Sequence, residues 1–224
     1  WHLLILDRER HCLAGCLRMG LSRWHGQEWD GSQSYLEHCY PGLDQVLRRR
    51  GLSYAEIGRT LVATPYQRTS PVLQMLLRAM ASIPLATGHT TLMGMVSFNH
   101  HQHSERLCSS FLTALMQKPF GEDCGIPPAR HPFPLQTEGS HEKGLPPVAD
   151  TLGELERILE QTFQESFRAP LLLKKYINFG NAQVIGLSLA RDFNQICEIL
   201  MYCDLKALRP RQHKEFVVNN IIPV

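Results

Sequence analysis

Hydrophobic residues in the first half of the chain follow either strand or helix periodicity. Two short apolar runs, residues 2–6 and 12–19, flank a polar turn at 7–10, and this pattern predicts a β-hairpin. Further along, residues 54–64 and 90–98 form two apolar runs of strand length. We therefore expect at least four strands before residue 100, while the breakers within 20–53 predict irregular chain with a short helix near 43–50.

The segment between the last two of these strands carries the strongest helix signal. Apolar side chains from Val72 to Ile83 recur at helical spacing, Pro71 suits a first turn, and Gly88 follows the last one. A helix over 71–87 between two strands makes a βαβ unit, whose crossover is expected to be right-handed. A second helix is predicted over 104–117.

The second half begins with a segment that cannot be regular structure. Residues 118–150 contain seven prolines and several glycines, which predicts a long loop that acts as a lid or a flexible excursion. After it, helical spacing predicts helices over 152–167 and 169–179, the second ending before Gly180. Two strands are predicted over 183–190 and 198–205. We interpret residues 1–224 as one domain with an insertion at about 118–150.

Composition narrows the class of protein. The chain has 224 residues, of which 43% are hydrophobic and 20% charged, and this is typical of a globular domain with a sizeable core. The formal net charge of +2 is too small for a protein that works mainly on nucleic acid. No apolar run approaches the roughly 20 residues of a membrane span. Seven scattered cysteines indicate reduced thiols in a cytosol.

The first candidate site lies where the strand over 54–64 ends. The polar loop 65–70 separates this strand from the helix, and a helix start with free backbone N–H groups can bind an anion. Arg68 adds a positive charge there. A phosphate or pyrophosphate would suit this position, although most strand–loop–helix turns bind nothing.

The strand itself carries two charged residues of interest. With strict alternation, Glu56 shares a face with Gly58, Thr60 and Val62, while Arg59 shares the other face with Leu61. Glu56 and Arg59 therefore point apart unless a β-bulge intervenes.

Three groups of residues, in order along the chain, resemble one known family. The first follows the strand, loop and helix and comprises Glu56-Ile57-Gly58-Arg59-Thr60, Val62, Tyr66, Arg68, Pro71-Val72 and Arg78. The second is the segment from Pro170 to Ile177 with Gly180, and the third is Asp192-Phe193-Asn194 with Asp204-Leu205. Gly15 and Arg18 of the hairpin also fit. Together they resemble the GNAT-related N-acyltransferases of the ornithine-lipid type, also called hemolysin-like.

The resemblance implies an α+β, GNAT-like fold with a mixed central sheet flanked by helices. It implies an acyl-phosphopantetheine thioester as donor, on acyl carrier protein or coenzyme A, lying between the two central strands. A long-chain or 3-hydroxy fatty acyl group would pass to the α-amino group of an amino acid such as ornithine, giving a lyso-aminolipid. The implied location is cytoplasmic, with peripheral contact to the inner membrane face. No nucleic-acid partner and no metal are expected.

The resemblance also implies roles for individual residues. Glu56 would act as base or orient the amine, and Arg59 would fix Glu56 or meet the carrier protein. The backbone of Leu61, Val62 and Ala63 would pair with pantetheine and hold the oxyanion, while the phosphate would be held by Gln67, Arg68, Thr69 and Ser70. A thioester is already activated, so position, a base and oxyanion donors suffice.

One departure from the family pattern supports a different class of function. Thr69-Ser70 stands where the family has a loop glycine, and glycine allows backbone to approach a phosphate closely. The alternative is therefore a non-catalytic module that binds acyl carriers or lipids. A third hypothesis is a metal-dependent hydrolase, because His100, His101 and His103 follow the second central strand, although their spacing fits no standard zinc motif.

Overall fold

The structure is a computed structural model that describes residues 1–24, 27–28, 34–67, 71–135, 149–180 and 182–208. Within these ranges six strands form one mixed sheet, and helices pack on both of its faces. The predicted α+β fold, a mixed central sheet flanked by helices, is confirmed. None of the described helices is both long and apolar enough to cross a membrane.

The first half of the chain closely follows its hydrophobic pattern. Its elements are β1 (His2–Asp7), β2 (Cys12–Leu21), β3 (Arg23–Trp24), β4 (Gln27–Glu28), α1 (Tyr35–Cys39), α2 (Leu43–Arg49), β5 (Tyr54–Val62), α3 (Val72–Ala86), β6 (Thr91–Phe98) and α4 (Glu105–Leu115). The predicted hairpin, the two central strands and both long helices are confirmed, with ends that shift by at most two residues. Ser104 caps α4 by accepting a hydrogen bond from the N–H of Leu107.

The prediction of irregular chain before residue 43 is wrong at α1. This short helix begins after Ser34, whose hydroxyl accepts a hydrogen bond from the N–H of Glu37. The sequence Ser34-x-x-Glu37 is the signature of a capping box, and it is the signal that could have predicted the helix. In the structure the Glu37 carboxylate instead receives the N–H groups of Gly42 and Asp44, so it ties α1 to the start of α2.

The second half contains α5 (Leu152–Phe163), α6 (Leu171–Gly180), β7 (Gln183–Ala190) and β8 (Ile196–Asp204). Helix α5 is four residues shorter than predicted, because Gln164 adopts a left-handed conformation with φ of 53°. Helix α6 includes Gly180 as its last residue, and β8 begins two residues earlier than predicted. The sequence predicts a short helix in the basic tail from Lys206; a 3₁₀ turn covers Leu205–Ala207, and residues beyond 208 lie outside the described residues.

The strands are ordered β1-β2-β5-β6-β8-β7 across the sheet. Strands β5 and β6 pair in parallel, and the other neighbours pair antiparallel. Each face has its own core: α3, α4, α5 and α6 cover one, and α1 and α2 cover the other. We call these the α3–α6 face and the α1–α2 face.

Part of the Pro/Gly-rich segment lies along the outer edge of β7. The carbonyl of Phe120 and the N–H of Glu122 both bond to Val184, and the carbonyl of His131 accepts the N–H of Leu189. We call residues 119–135 the edge strap. It does not line the main cavity described below, so this part of the insertion is neither a lid nor a wall of that cavity. Residues 136–148 lie outside the described residues.

Candidate active site

The site is built where the two parallel strands separate. Strand β5 pairs with β6 from Tyr54 to Ile57, opposite Thr91 to Gly94, and their register ends there. At that point the strands approach so closely that a Cβ on Gly94 would lie 2.6 Å from the carbonyl oxygen of Ile57. Beyond it β5 and β6 diverge, and we call the opening between them the splay.

A β-bulge at Arg59 accompanies the separation. Arg18 pairs with Gly58, but Cys16 already pairs with Leu61, so β5 has one more residue than β2 in this interval. Arg59 has φ of 53°, a conformation that non-glycine residues seldom adopt. The bulge considered from the sequence is present. It also shifts the alternation beyond it, because the register places Leu61 on the face of Glu56 and Val62 on the other.

A cavity of about 570 Å³ extends through the splay. Its lining comes from both faces of the sheet. On the α3–α6 face the lining is mostly apolar and includes Met80, Leu92, Leu172, Ala182, Met201 and Cys203. On the α1–α2 face it includes five polar or charged residues: Arg18, Tyr35, Glu56, Glu198 and Ser97. Arg59 of the bulge and Asp192 of the β7–β8 turn also line it, so one cavity joins an apolar end to a charged end.

Glu56 is buried at the charged end, with 4% of its surface exposed. Arg18 Nη2 donates to its Oε1 at 2.8 Å, and the Ser34 hydroxyl donates to its Oε2. The N–H groups of Tyr35 and Leu36 lie 3.4 Å from the two oxygens, one on each. The carboxylate therefore binds the first turn of α1 to the sheet.

The cation that fixes Glu56 is Arg18 and not Arg59, which corrects one of the two roles predicted for Arg59. A Cβ at Gly58 would lie 3.7 Å from the Arg18 Nη2, an ordinary contact, so the pair does not require glycine there. Arg59 lines the cavity, is exposed, and forms no ion pair with any residue that the structure describes. Its other predicted role, contact with the carrier protein, stays a prediction.

Glu198 is a second buried carboxyl at the charged end, and the sequence analysis did not predict it. It lies on β8 opposite Ser97 of β6, with 6% of its surface exposed. The Tyr35 hydroxyl donates to its Oε2 at 2.8 Å, and the Cys39 thiol lies 4.0 Å from the same oxygen. A signal was present: Glu198 is the one charged residue within the run 196–203 of an otherwise apolar strand.

Burial changes the acid–base properties of this group. Loss of water raises the pKa of Glu198, and the nearby charge of Asp192 raises it further, while the Tyr35 hydrogen bond and the charge of Arg59 lower it in part. Burial and the Glu198 carboxylate likewise raise the pKa of Tyr35, and burial raises that of Cys39 to about 11. Both donors thus keep their protons at neutral pH.

The raised pKa of Glu198 makes a testable contribution to stability. Below the ordinary glutamate value of 4.5 the carboxyl is neutral in both folded and unfolded chains, and its favourable contribution is complete. As the pH rises through the folded pKa that contribution is lost. We therefore expect Glu198→Gln to become more stable relative to wild type as the pH increases, in urea unfolding measured from pH 4 to pH 8.

Glu165 provides a control of opposite sign. Hydrogen bonds from Ser104 and from His103 lower the pKa of Glu165, so its contribution is present above 4.5 and is lost as the pH falls. Wild type should therefore lose stability relative to Glu165→Gln on acidification. A pH-independent difference between wild type and Glu198→Gln would contradict the assignment for Glu198.

The backbone groups predicted to hold pantetheine are not equivalent. The N–H of Ala63 donates to Ala14 on β2, and its carbonyl accepts the N–H of Tyr66, so Ala63 is already engaged. Because backbone groups alternate sides along a strand, Leu61 also faces β2 and Val62 faces the splay. Of the three residues, Val62 is the one placed to pair with a ligand there.

The predicted phosphate site is described only at its first residue. Gln67 follows a short 3₁₀ turn after β5, and its side-chain amide donates to the carbonyl of Val62 at 2.9 Å. Gln67 therefore lies just beyond the end of β5, and its contact with a phosphate stays a prediction. Arg68, Thr69 and Ser70 lie outside the described residues, so their role stays a prediction.

One further hydroxyl lies on the cavity wall. Tyr176 of α6 lies near the side chain of Thr60 on β5, and burial raises the pKa of Tyr176. The helix that carries it was part of the resemblance, but no role was predicted for the tyrosine.

The histidines after β6 do not line this cavity. His101 bonds to the carbonyl of Asn194, His103 bonds to Glu165, and His100 packs edge-on against Phe133. Among the described residues no three histidine, cysteine, aspartate or glutamate side chains are grouped to hold a metal ion. These three histidines, which suggested a hydrolase site in the sequence, thus make local contacts within the fold.

Comparison with known proteins now bears on this geometry. Residues 1–78 match the acetyltransferase (GNAT) domain. The match covers about a third of the chain and includes Arg18, Glu56, Arg59 and the whole of β5. It ends within α3, so β6, Tyr176 and Glu198 lie outside it. The GNAT part of the sequence resemblance is supported there, while the ornithine-lipid assignment stays a prediction.

Other comparisons add less. No curated protein matches the chain. A solved structure described as aminoglycoside 6'-N-acetyltransferase complexed with coenzyme A is 10% identical and covers 91% of this chain and 72% of that one. Its TM-score of 0.38 is too low to establish a common fold. The GNAT resemblance therefore rests on the match of residues 1–78.

Proposed function

We propose that this protein is an N-acyltransferase that moves a long-chain or 3-hydroxy fatty acyl group from acyl carrier protein to the α-amino group of an amino acid such as ornithine. The observation that carries the proposal is the cavity through the splay, with one apolar and one charged end. Its volume of about 570 Å³ is in the range of sites that enclose small ligands. The GNAT match of residues 1–78 supports acyl transfer.

The apolar end suits a fatty acyl chain. Met80, Leu92, Ala182 and Met201 line it, and none of these side chains requires a polar partner. Burial of each methylene of an acyl chain in such surroundings contributes about 0.8 kcal/mol. An acetyl group would leave most of this surface uncovered, which favours a longer donor.

The charged end suits a zwitterionic amino acid. Glu198 and Asp192 are two acids on its wall, and Arg59 is a cation that forms no ion pair with the described residues. An ammonium group near the acids and a carboxylate near Arg59 would both find opposite charge. The three carboxylates Glu56, Glu198 and Asp192 outnumber the two cations Arg18 and Arg59 at this end. A second amine on the acceptor side chain, as in ornithine, would therefore also find opposite charge.

In this proposal the thioester lies in the splay, between these two ends. The Val62 N–H faces it and would stabilise the oxyanion that develops on the carbonyl during attack. Burial keeps the Tyr176 hydroxyl protonated, so it can donate a proton to the departing sulfur. The phosphate of the pantetheine arm would then lie near Gln67 and the loop that follows.

An acceptor screen tests the proposal directly. The full chain is incubated with long-chain acyl carrier protein, long-chain acyl-coenzyme A or acetyl-coenzyme A, each with a panel of amino acids. Free thiol release and mass spectrometry report turnover. We expect an N-acyl amino acid from a long-chain donor and a basic amino acid, at a higher rate than with acetyl-coenzyme A.

Two outcomes would contradict the proposal. Binding of acyl carrier protein without turnover, across all amines, would favour the non-catalytic binding module instead. Faster turnover with acetyl-coenzyme A would overturn the long-chain assignment while retaining acyl transfer. The carrier protein, the cytoplasmic location and the membrane contact remain part of the proposal, and sedimentation with anionic vesicles tests the last of these.

Basic surface residues could dock an acidic carrier protein, but some of them are engaged in the fold. Arg50 donates to the carbonyls of Cys124 and Gly125 in the edge strap, and Lys174 pairs with Glu156. Arg49 and Lys175 are exposed and remain candidates for contact with an acidic carrier protein.

A further inference from the structure

The two buried carboxyls at the charged end differ in how fully they are bonded. A carboxylate offers about four lone-pair positions to hydrogen-bond donors. Glu56 receives four donors: Arg18, the Ser34 hydroxyl, and the N–H groups of Tyr35 and Leu36. To accept a proton it would have to give up one of these four bonds, three of which attach α1 to the sheet.

Glu198 is less fully bonded. Its contacts with the Tyr35 hydroxyl and the Cys39 thiol both involve Oε2. Within the described part of the chain, Oε1 accepts no hydrogen bond. Since Glu198 lines the cavity, this carboxyl retains a free position for a proton from a bound ligand.

The position of Glu198 also suits an amine that attacks from the α1–α2 face. Glu198 lies beside Ser97 of β6, and neighbouring strands are about 4.8 Å apart, so it lies one strand away from the splay. The titratable groups around it come from three other elements: Tyr35 and Cys39 of α1, which are neutral donors, Arg59 of the β5 bulge, and Asp192 of the β7–β8 turn.

We infer that Glu198, and not Glu56, receives the proton of the acceptor ammonium group, with Tyr35 as a positioning residue that holds its Oε2. Glu56 is then a positioning residue as well, because it fixes α1 and thereby the Tyr35 side chain. This inference rests on the proposed acyl transfer. It moves the proton-accepting role to a strand outside the part of the chain that matches the GNAT domain.

The step balances in the following way. The ammonium group gives one proton to Glu198, which later passes it to solvent. The neutral amine attacks the thioester carbonyl carbon, so that a C–N bond forms and the C–S bond breaks. The attacking nitrogen loses a second proton, which replaces the proton that Tyr176 gives to the leaving sulfur, so the sulfur departs as a thiol. The third remains on the amide nitrogen, and no oxidant or reductant is needed.

Rate measurements on matched variants test the assignment. Glu198→Gln keeps the size of the side chain but cannot accept the proton, and we expect kcat to fall about 10²- to 10⁴-fold. Glu56→Gln is the isosteric control. We expect it to lower activity by loosening α1, with a larger effect on KM than on kcat, while retaining the rise of kcat with pH.

The pH dependence of kcat distinguishes a proton-accepting role of Glu198 from a purely structural one. In wild type, kcat should rise with pH as Glu198 ionises, at a higher pH than an ordinary glutamate would give. Tyr35→Phe removes a hydrogen bond that lowers the Glu198 pKa, so this rise should move to still higher pH. Glu198→Gln should lack the rise altogether. Unfolding by urea at each pH shows whether the variants are folded.

The outcomes distinguish this inference from the proposed function. If wild type forms no product from any donor and acceptor, the acyl transfer fails, and the pH-dependent stability of Glu198→Gln still reports on the carboxyl. If wild type is active and Glu198→Gln retains its kcat and pH rise, Glu198 does not receive the proton. Loss of the rise in Glu56→Gln instead would return that role to Glu56.

Discussion

Replacing Gly94 with alanine is expected to reduce kcat/KM for acyl transfer about 100-fold while the protein remains folded. A Cβ at this position would lie 2.6 Å from the carbonyl oxygen of Ile57, and backbone cannot yield as a flexible side chain can. The last parallel pair must therefore part, and the splay would open one residue too early. Displacement of reacting groups by about 1 Å can cost about 100-fold in rate.

Gly153 provides the matched control. It lies in α5, and a Cβ there would meet nothing within 4 Å. Gly153→Ala should leave the rate unchanged and stabilise the helix by about 0.5–1 kcal/mol. Steady-state kinetics and urea unfolding of both variants check the expectation. Wild-type activity in a folded Gly94→Ala protein would show that the start of the splay does not set the geometry of the reaction.

Replacing Phe111 with alanine is expected to lower the free energy of unfolding by about 3–5 kcal/mol. Phe111 is fully buried in α4 on the α3–α6 face. Its ring packs edge-on against Phe98 of β6 and Phe167 of the α5–α6 connection, with centroids 5.2 Å and 4.7 Å away. The truncation would leave a cavity among α4, β6 and the α5–α6 connection.

Leu6→Ala separates this effect from a general loss of apolar surface. Leu6 lies on β1 with 63% of its surface exposed, so its truncation should change stability by less than about 0.5 kcal/mol. Denaturant unfolding with a fitted m-value gives both numbers. A loss below about 1 kcal/mol for Phe111→Ala would indicate that the α4 core rearranges to fill the space.

Local periodicity explains why so much of the fold was predictable. Strands β1, β2, β5 and β6 and helices α3 and α4 each have an apolar run of the length or spacing of their own element, so neighbouring residues decide their structure. The end of α5 could not be predicted in this way, because its apolar spacing continues to Phe167. The helix ends at Phe163, because Gln164 adopts a left-handed conformation. The N–H of Phe167 then donates to the Glu160 side chain and not to a helix carbonyl.

The candidate site was predictable only in part, for a related reason. Glu56 and the bulge at Arg59 lie in one short motif, and both take part in the site. The partner of Glu56 does not, since Arg18 comes from another strand and reaches it only through the β2–β5 register. Glu198 lies 142 residues further along the chain, and its closeness to Tyr35 depends on the whole order of the sheet.

The edge strap has a consequence for solubility. A bare edge strand offers its backbone to strands of other molecules, and natural proteins suppress such edge-to-edge aggregation. The strap occupies the N–H groups of Val184 and Leu189 on β7. Its own Pro127, Pro128 and Pro132 have no N–H to offer, so it cannot readily recruit a further strand. The edge strap, which has little regular structure itself, thus protects the β7 edge of the sheet from pairing with other molecules.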